Sequence, residues 1–106
     1  MAKYLIIANY SSEGVKGVLA SGGTARRAAV SKSIADLGGT LESFYFGFGE
    51  DDAFVIADLP DNVAAASIAM QVGASGMAST RTVVLLSPED IDSASKAPSV
   101  YIPPGS

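Results

Sequence analysis

An α+β fold of order β-α-β-β-α-β is predicted for this chain by three observations. Two runs rich in aromatic and β-branched residues lie between Thr40 and Leu59, parted by the polar break Gly49-Glu50-Asp51-Asp52. That is the pattern of two strands joined by a tight turn, with Gly49 supplying a positive φ. Further runs of β-formers stand near the two ends, Lys3 to Tyr10 and Thr80 to Leu86. Between each outer run and the hairpin lies a stretch with helical spacing and glycine stops.

The first strand, KYLIIANY, is followed by Ser11 and Ser12, whose hydroxyls suit a helix cap. Gly14, Gly17 and the group Ser21-Gly22-Gly23-Thr24 weaken one continuous helix, so the spacing predicts a short helical segment from Glu13 to Leu19 and a break at Gly22-Gly23. A better helix then starts with Thr24 as its cap. Val30, Ile34 and Leu37 form its core stripe, opposite Ala28, Ser31 and Ala35, and Gly38-Gly39 stops it.

In the hairpin, alternation places Phe44, Phe46 and Phe48 on one face and Leu41, Tyr45 and Gly47 on the other. Both faces carry apolar groups, which predicts a sheet covered by helices on one side and by a second subunit on the other. Pro60-Asp61-Asn62 makes a turn and a helix start, and Ala64 to Ser75 forms an Ala-rich helix. After the fourth strand, Ser87-Pro88-Glu89-Asp90 starts a short helix over Pro88 to Lys96. The tail from Ala97 to Ser106 is too short for an element of its own, yet Val100-Tyr101-Ile102 is apolar enough to dock on a neighbour. The whole order is the ferredoxin-like one, a four-stranded antiparallel sheet with helices on one face, here expected as a dimeric α/β-barrel assembly.

The 106 residues suit one domain, and the 48% apolar and 17% charged content marks a globular chain with little charge to cover its surface. A homo-oligomer follows as an expectation. Net charge −4, with no cationic cluster beyond Arg26-Arg27, argues against nucleic acid as a partner. The absence of His and Cys removes imidazole bases, thiol chemistry and most metal constellations, so no cofactor or metal is expected. Met1-Ala2-Lys3 leads into a short apolar run without the longer apolar region of a secretory signal, and no stretch reaches spanning length. No membrane association and a cytoplasmic location are expected.

The block Ser21 to Arg27 is the leading candidate site. Gly22 and Gly23 can expose backbone N–H groups at a helix start, Thr24 adds a hydroxyl, and Arg26 and Arg27 add charge for a carboxylate or phosphate. The alternative is a helix break whose arginines pair with acids of this or another subunit. Tyr4, Tyr10, Tyr45 and Arg81 are polar-tipped strand residues that either face a cavity or serve as amphipathic packing. Met70 and Gln71 read as helix packing. Glu50-Asp51-Asp52 reads as a solvated hairpin tip, or as a hard-cation site.

Taken together, Lys3-Tyr4-Leu5, Glu13-Gly14 with Lys16-Gly17, Gly22-Gly23-Thr24-Ala25-Arg26-Arg27, Gly38-Gly39, Phe44-Tyr45-Phe46, the hairpin turn, Arg81-Thr82 and Pro103-Pro104-Gly105 resemble the GYD domain proteins. These are small bacterial proteins named for a Gly-Tyr-Asp motif. The resemblance spans nearly the whole chain and implies a ferredoxin-like fold and an oligomer, but no established reaction. The motif aligns with Gly49, Asp51 and Asp52 with one residue inserted after the glycine, so Asp51 stands where the family has tyrosine. Two functional readings result. One is a non-catalytic oligomer holding a small anionic or apolar ligand at Gly22, Gly23, Thr24, Arg26, Arg27, Tyr45 or Arg81. The other is a cofactor-independent oxygenase, isomerase or dehydratase of the dimeric barrel type, with Tyr45 and Arg81 or Arg26 near the substrate.

Overall fold

Alternating β-branched and aromatic residues give four strands, and the glycine-punctuated segments between and after them give four helices. The computed structural model describes residues 1–105; Ser106, the last residue of the expected tail, lies outside them. Strand β1 (Ala2–Tyr10) leads into helices α1 (Ser12–Ser21) and α2 (Gly23–Asp36). Strands β2 (Thr40–Phe46) and β3 (Ala53–Leu59) form the hairpin, followed by α3 (Asn62–Ser75), β4 (Ala78–Leu85) and α4 (Pro88–Ser95). The sheet order is β2-β3-β1-β4 with every adjacent pair antiparallel, the ferredoxin-like topology.

Register fixes the two faces of this sheet. Tyr4, Ile6 and Ala8 of β1 stand opposite Ala57, Val55 and Ala53 of β3, and these residues meet Ile34, Ala64 and Ala65 from the helices to form the core. Val30 and Leu37 pack beside Ile34, as the helical stripe requires. Fully burying a side chain such as Ile34 or Leu59 contributes about 1.5–3 kcal/mol. On the other face, Leu5, Ile7, Phe54, Ile56 and Val83 are aligned neighbours in the register. No helix of the core lies on that side, so the sheet has one open, largely apolar face.

Three local expectations are corrected. A β-bulge at Glu42 shifts the phase of β2, so Leu41 and Phe44 share the helix-facing side, opposite Ala57 and Val55. Phe48 lies beyond the strand and is almost wholly exposed. Gly49 does not take a positive φ, because the connection is not tight: Gly47 N–H donates to Asp52 O at 2.7 Å and closes a wider loop. The glycine this loop needs is Gly47, where a Cβ would meet the Asp51 carbonyl and lie 2.8 Å from the Phe54 ring.

Thr24 is not a cap. Helix α1 runs on to Ser21, past the expected Leu19, and Gly22 alone joins it to α2. With φ +87°, Gly22 donates its N–H to Val18 O at 2.7 Å and accepts the Arg26 N–H at 3.3 Å, ending one helix and opening the next. Consequently Thr24 already lies inside α2, and no side chain caps that N-terminus. The Gly38-Gly39 stop behaves as expected, their N–H groups bonding to Ala35 and Ile34 carbonyls at 2.9 and 3.0 Å. Ser87 and Asp90 form a reciprocal capping box at the start of α4, with Pro88 at the first position.

The C-terminal arm departs from the rest of the fold. No residue of α4 is buried, and Ile91, Val100, Tyr101 and Ile102 are exposed. The molecule measures 56 Å along its longest axis, with a radius of gyration of 16.8 Å. A chain of this length folded into one ball would have about 13 Å.

Candidate functional site

Helix α2 packs over β2 and α3 over β4, each on an outer strand, and this leaves a gap above the two central strands. The gap is a cleft of about 540 Å³, closed at one end by α1 and bordered by Tyr10, Gly22, Arg26, Ser33, Gln71 and Met77. Beneath it, a second chamber of about 80 Å³ reaches the sheet, with Ile6, Phe44, Val55 and Val72 among its walls. Tyr10, Arg26, Ser33 and Ile68 border both.

Sequence position explains who arrives there. Tyr10 continues the Tyr4, Ile6, Ala8 alternation, so it faces the helices, and its N–H is held by Asp52 Oδ2 at 2.8 Å. Arg26 sits one turn beyond Gly22, on the side of α2 that looks toward α3. Its Nε is shut off from solvent and finds no acceptor among the described residues. A buried guanidinium nitrogen without an acceptor is costly, and the same side chain brings positive charge to the border of the cleft. Among the described residues Glu13, at the rim, is the one acid bordering the cleft, and it is engaged by Lys16 at 3.3 Å.

The sequence candidates divide between two faces. Gly22 and Arg26 border the cleft. Gly23 packs under the Phe46 ring, 2.8 Å from where its Cβ would be, and Thr24 and Arg27 are exposed. Neither arginine is paired with an acid among the described residues. Tyr45 and Arg81 lie on the opposite, open face of the sheet, as the register with Phe54 and Ile7 requires. They therefore cannot act in the same site as Arg26. Tyr4 is buried, with its hydroxyl donating to Asn62 Oδ1, a packing residue with a satisfied polar tip. On α3, Met70 points to solvent whereas Gln71 reaches the rim of the cleft.

The acidic turn is not a solvated tip. Asp51 accepts from Asn9 Nδ2 at 2.9 Å and from Arg81 Nη2 at 3.1 Å, while Asp52 holds β1 through the Tyr10 N–H. The Asn9 hydrogen bond, helped by the Arg81 charge and opposed by partial desolvation, lowers the Asp51 pKa from its ordinary value. At the far end of the open face Lys3 bridges Glu42 at 2.6 Å and Asp58 at 3.3 Å. The Glu42 hydrogen bond raises the Lys3 pKa, against a smaller opposing desolvation.

Chemically, the cleft can hold an anion at Arg26, beside a helix N-terminus that no side chain caps, with Tyr10 on the same lining. No helix among the described residues is long and apolar enough to cross a membrane. No curated protein and no solved structure matches the chain. The model of the GYD domain matches residues 4 to 95, strand β1 through helix α4, and the chain therefore belongs to the GYD domain family.

Proposed function

We propose that this protein is a non-catalytic, cytoplasmic homo-oligomer that holds a small molecule in the cleft between α2 and α3. The observation that carries the reading is Arg26, unpaired with any acid among the described residues, bordering a cleft of about 540 Å³, a volume in the range of small-molecule sites. Assembly is supported by the open apolar face of the sheet and by the apolar side chains of the C-terminal arm. Native mass spectrometry of gently purified protein tests both parts. An oligomer carrying a stoichiometric extra mass supports the reading. A monomer at micromolar concentration overturns the assembly, and a cleft unperturbed in NMR spectra by a broad set of small anions and apolar compounds overturns the site.

A second reading, a cofactor-independent enzyme of the dimeric barrel type, is favoured by Tyr10 and Glu13 bordering the same cleft as Arg26. In that reading acid–base work rests on these two groups. Tyr45 and Arg81, on the other side of the sheet, take no part in it. Turnover of a bound compound that is lost in Tyr10→Phe but not in Tyr45→Phe distinguishes it.

A further inference from the structure

The cleft is largely apolar, with its polar groups gathered at the rim, and Arg26 stands where it meets the inner chamber. Above it the rim carries Glu13, Ser21, Gln71 and the Gly22 backbone. Below it the inner chamber is walled by Ile6, Val30, Phe44, Val55 and Val72. Arg26 borders both spaces, and its Nε has no protein acceptor.

Resting on the ligand-binding reading above, we infer that the ligand is an amphipathic monoanion: a carboxylate held at Arg26 whose short alkyl chain enters the inner chamber. Three features carry this. The planar guanidinium matches a carboxylate, and no acid among the described residues supplies Arg26 with a counter-charge. A single cleft arginine, with Glu13 at the rim, favours one negative charge over the several of a polyphosphate. The chamber of about 80 Å³ is near half the roughly 150 Å³ of an apolar cavity that admits benzene, so a few methylenes fit it and a fused ring does not.

The test uses the full chain, isotope-labelled, titrated at neutral pH with four probes: hexanoate, 1-hexanol, hexylamine and acetate. Hexanoate is expected to shift the amides of Ala29, Ile68 and Val72, and to bind about tenfold or more tightly than each of the others. Arg26→Gln should reduce hexanoate to the level of 1-hexanol without altering 1-hexanol itself. Val72→Phe, which fills the inner chamber, should abolish the preference for hexanoate over acetate while sparing Arg26. If 1-hexanol or hexylamine binds the cleft as tightly as hexanoate, the anion inference falls and the ligand-binding reading stands. Equal binding of acetate and hexanoate removes the apolar half of the inference. If none of the four shifts the cleft residues, the inference falls, and the broader compound set then decides the reading beneath it.

Discussion

The Arg81 guanidinium meets the Asp51 carboxylate at 3.1 Å across the end of β1, and Asn9 on that strand completes the link by donating to the same carboxylate at 2.9 Å. In this chain a charged network thus ties the hairpin loop to β1 and β4 through Asp51. Its pKa is lowered on folding, so the unfolded chain binds the proton more readily. The stability it contributes is fully present above the ordinary value of 3.8 and is lost as pH falls through the lower, folded value. Asp51→Asn should thus lower the urea midpoint at neutral pH, and the gap between the two proteins should narrow in acid. A gap independent of pH would mean that the charge does not matter.

Two glycines in helices should respond to alanine with opposite signs. A Cβ on Gly14 would run into the Met77 carbonyl, whereas one on Gly73 would meet open space. Gly73→Ala should stabilise by about 0.5–1 kcal/mol through reduced chain entropy and better helix propensity. Gly14→Ala should destabilise by about 1–3 kcal/mol, because backbone must move. Thermal unfolding of the two variants checks the order, which helix propensity alone would not predict.

Ile34 is fully buried beneath α2 among Tyr4, Leu59 and Ala57. Truncation to alanine should cost about 2–5 kcal/mol, with a cavity term added to the lost transfer energy. Leu37→Ala, at the half-buried edge of the same stripe, should cost less. Denaturant midpoints at constant m-value report both.

The arm makes a separate prediction about assembly. Residues beyond Lys96 are exposed throughout the described chain, so removing residues 97–106 should leave the melting temperature of an isolated subunit nearly unchanged. If the arm clasps a neighbouring copy, light scattering should show a smaller particle at equal concentration. Val83→Asp, which puts a charge into the open face, should dissociate copies joined through the sheet. An oligomer unchanged in both variants would exclude the arm and the open face as its contacts.

Much of the fold was legible because it is local. The Ile34 stripe, the Gly38-Gly39 stop and the helix start at Pro88 are each written within a few residues, and all stand as expected. The bulge at Glu42 was not legible, since it depends on how β2 meets β3, and without it Leu41 falls on the wrong face. The role of Thr24 was misread because a single glycine can end one helix and begin another, which puts Thr24 inside the second helix rather than at its cap.

For the site, Arg26 was visible as a charge beside a glycine break, but its partners were not. Gln71 and Ile68 come from α3, some forty residues further on, and only the spread of the two helices brings them opposite it. Tyr10 carried a usable signal. It keeps step with Tyr4, Ile6 and Ala8, all of which face the helices. Tyr45 and Arg81 were grouped with Arg26 because strand residues were not sorted by sheet face.

The bulge at Glu42 also decides how the sheet can grow. Strand β2 is one of the two outer strands, and an extra residue there twists and interrupts its free row of N–H and C=O groups. A neighbouring strand cannot zip along that border in continuous register. Only the β4 border remains regular enough to accept a strand, so repeated edge-to-edge addition, which needs two receptive borders per molecule, stops after one pair. An interrupted outer strand is one of the ways sheets resist such growth.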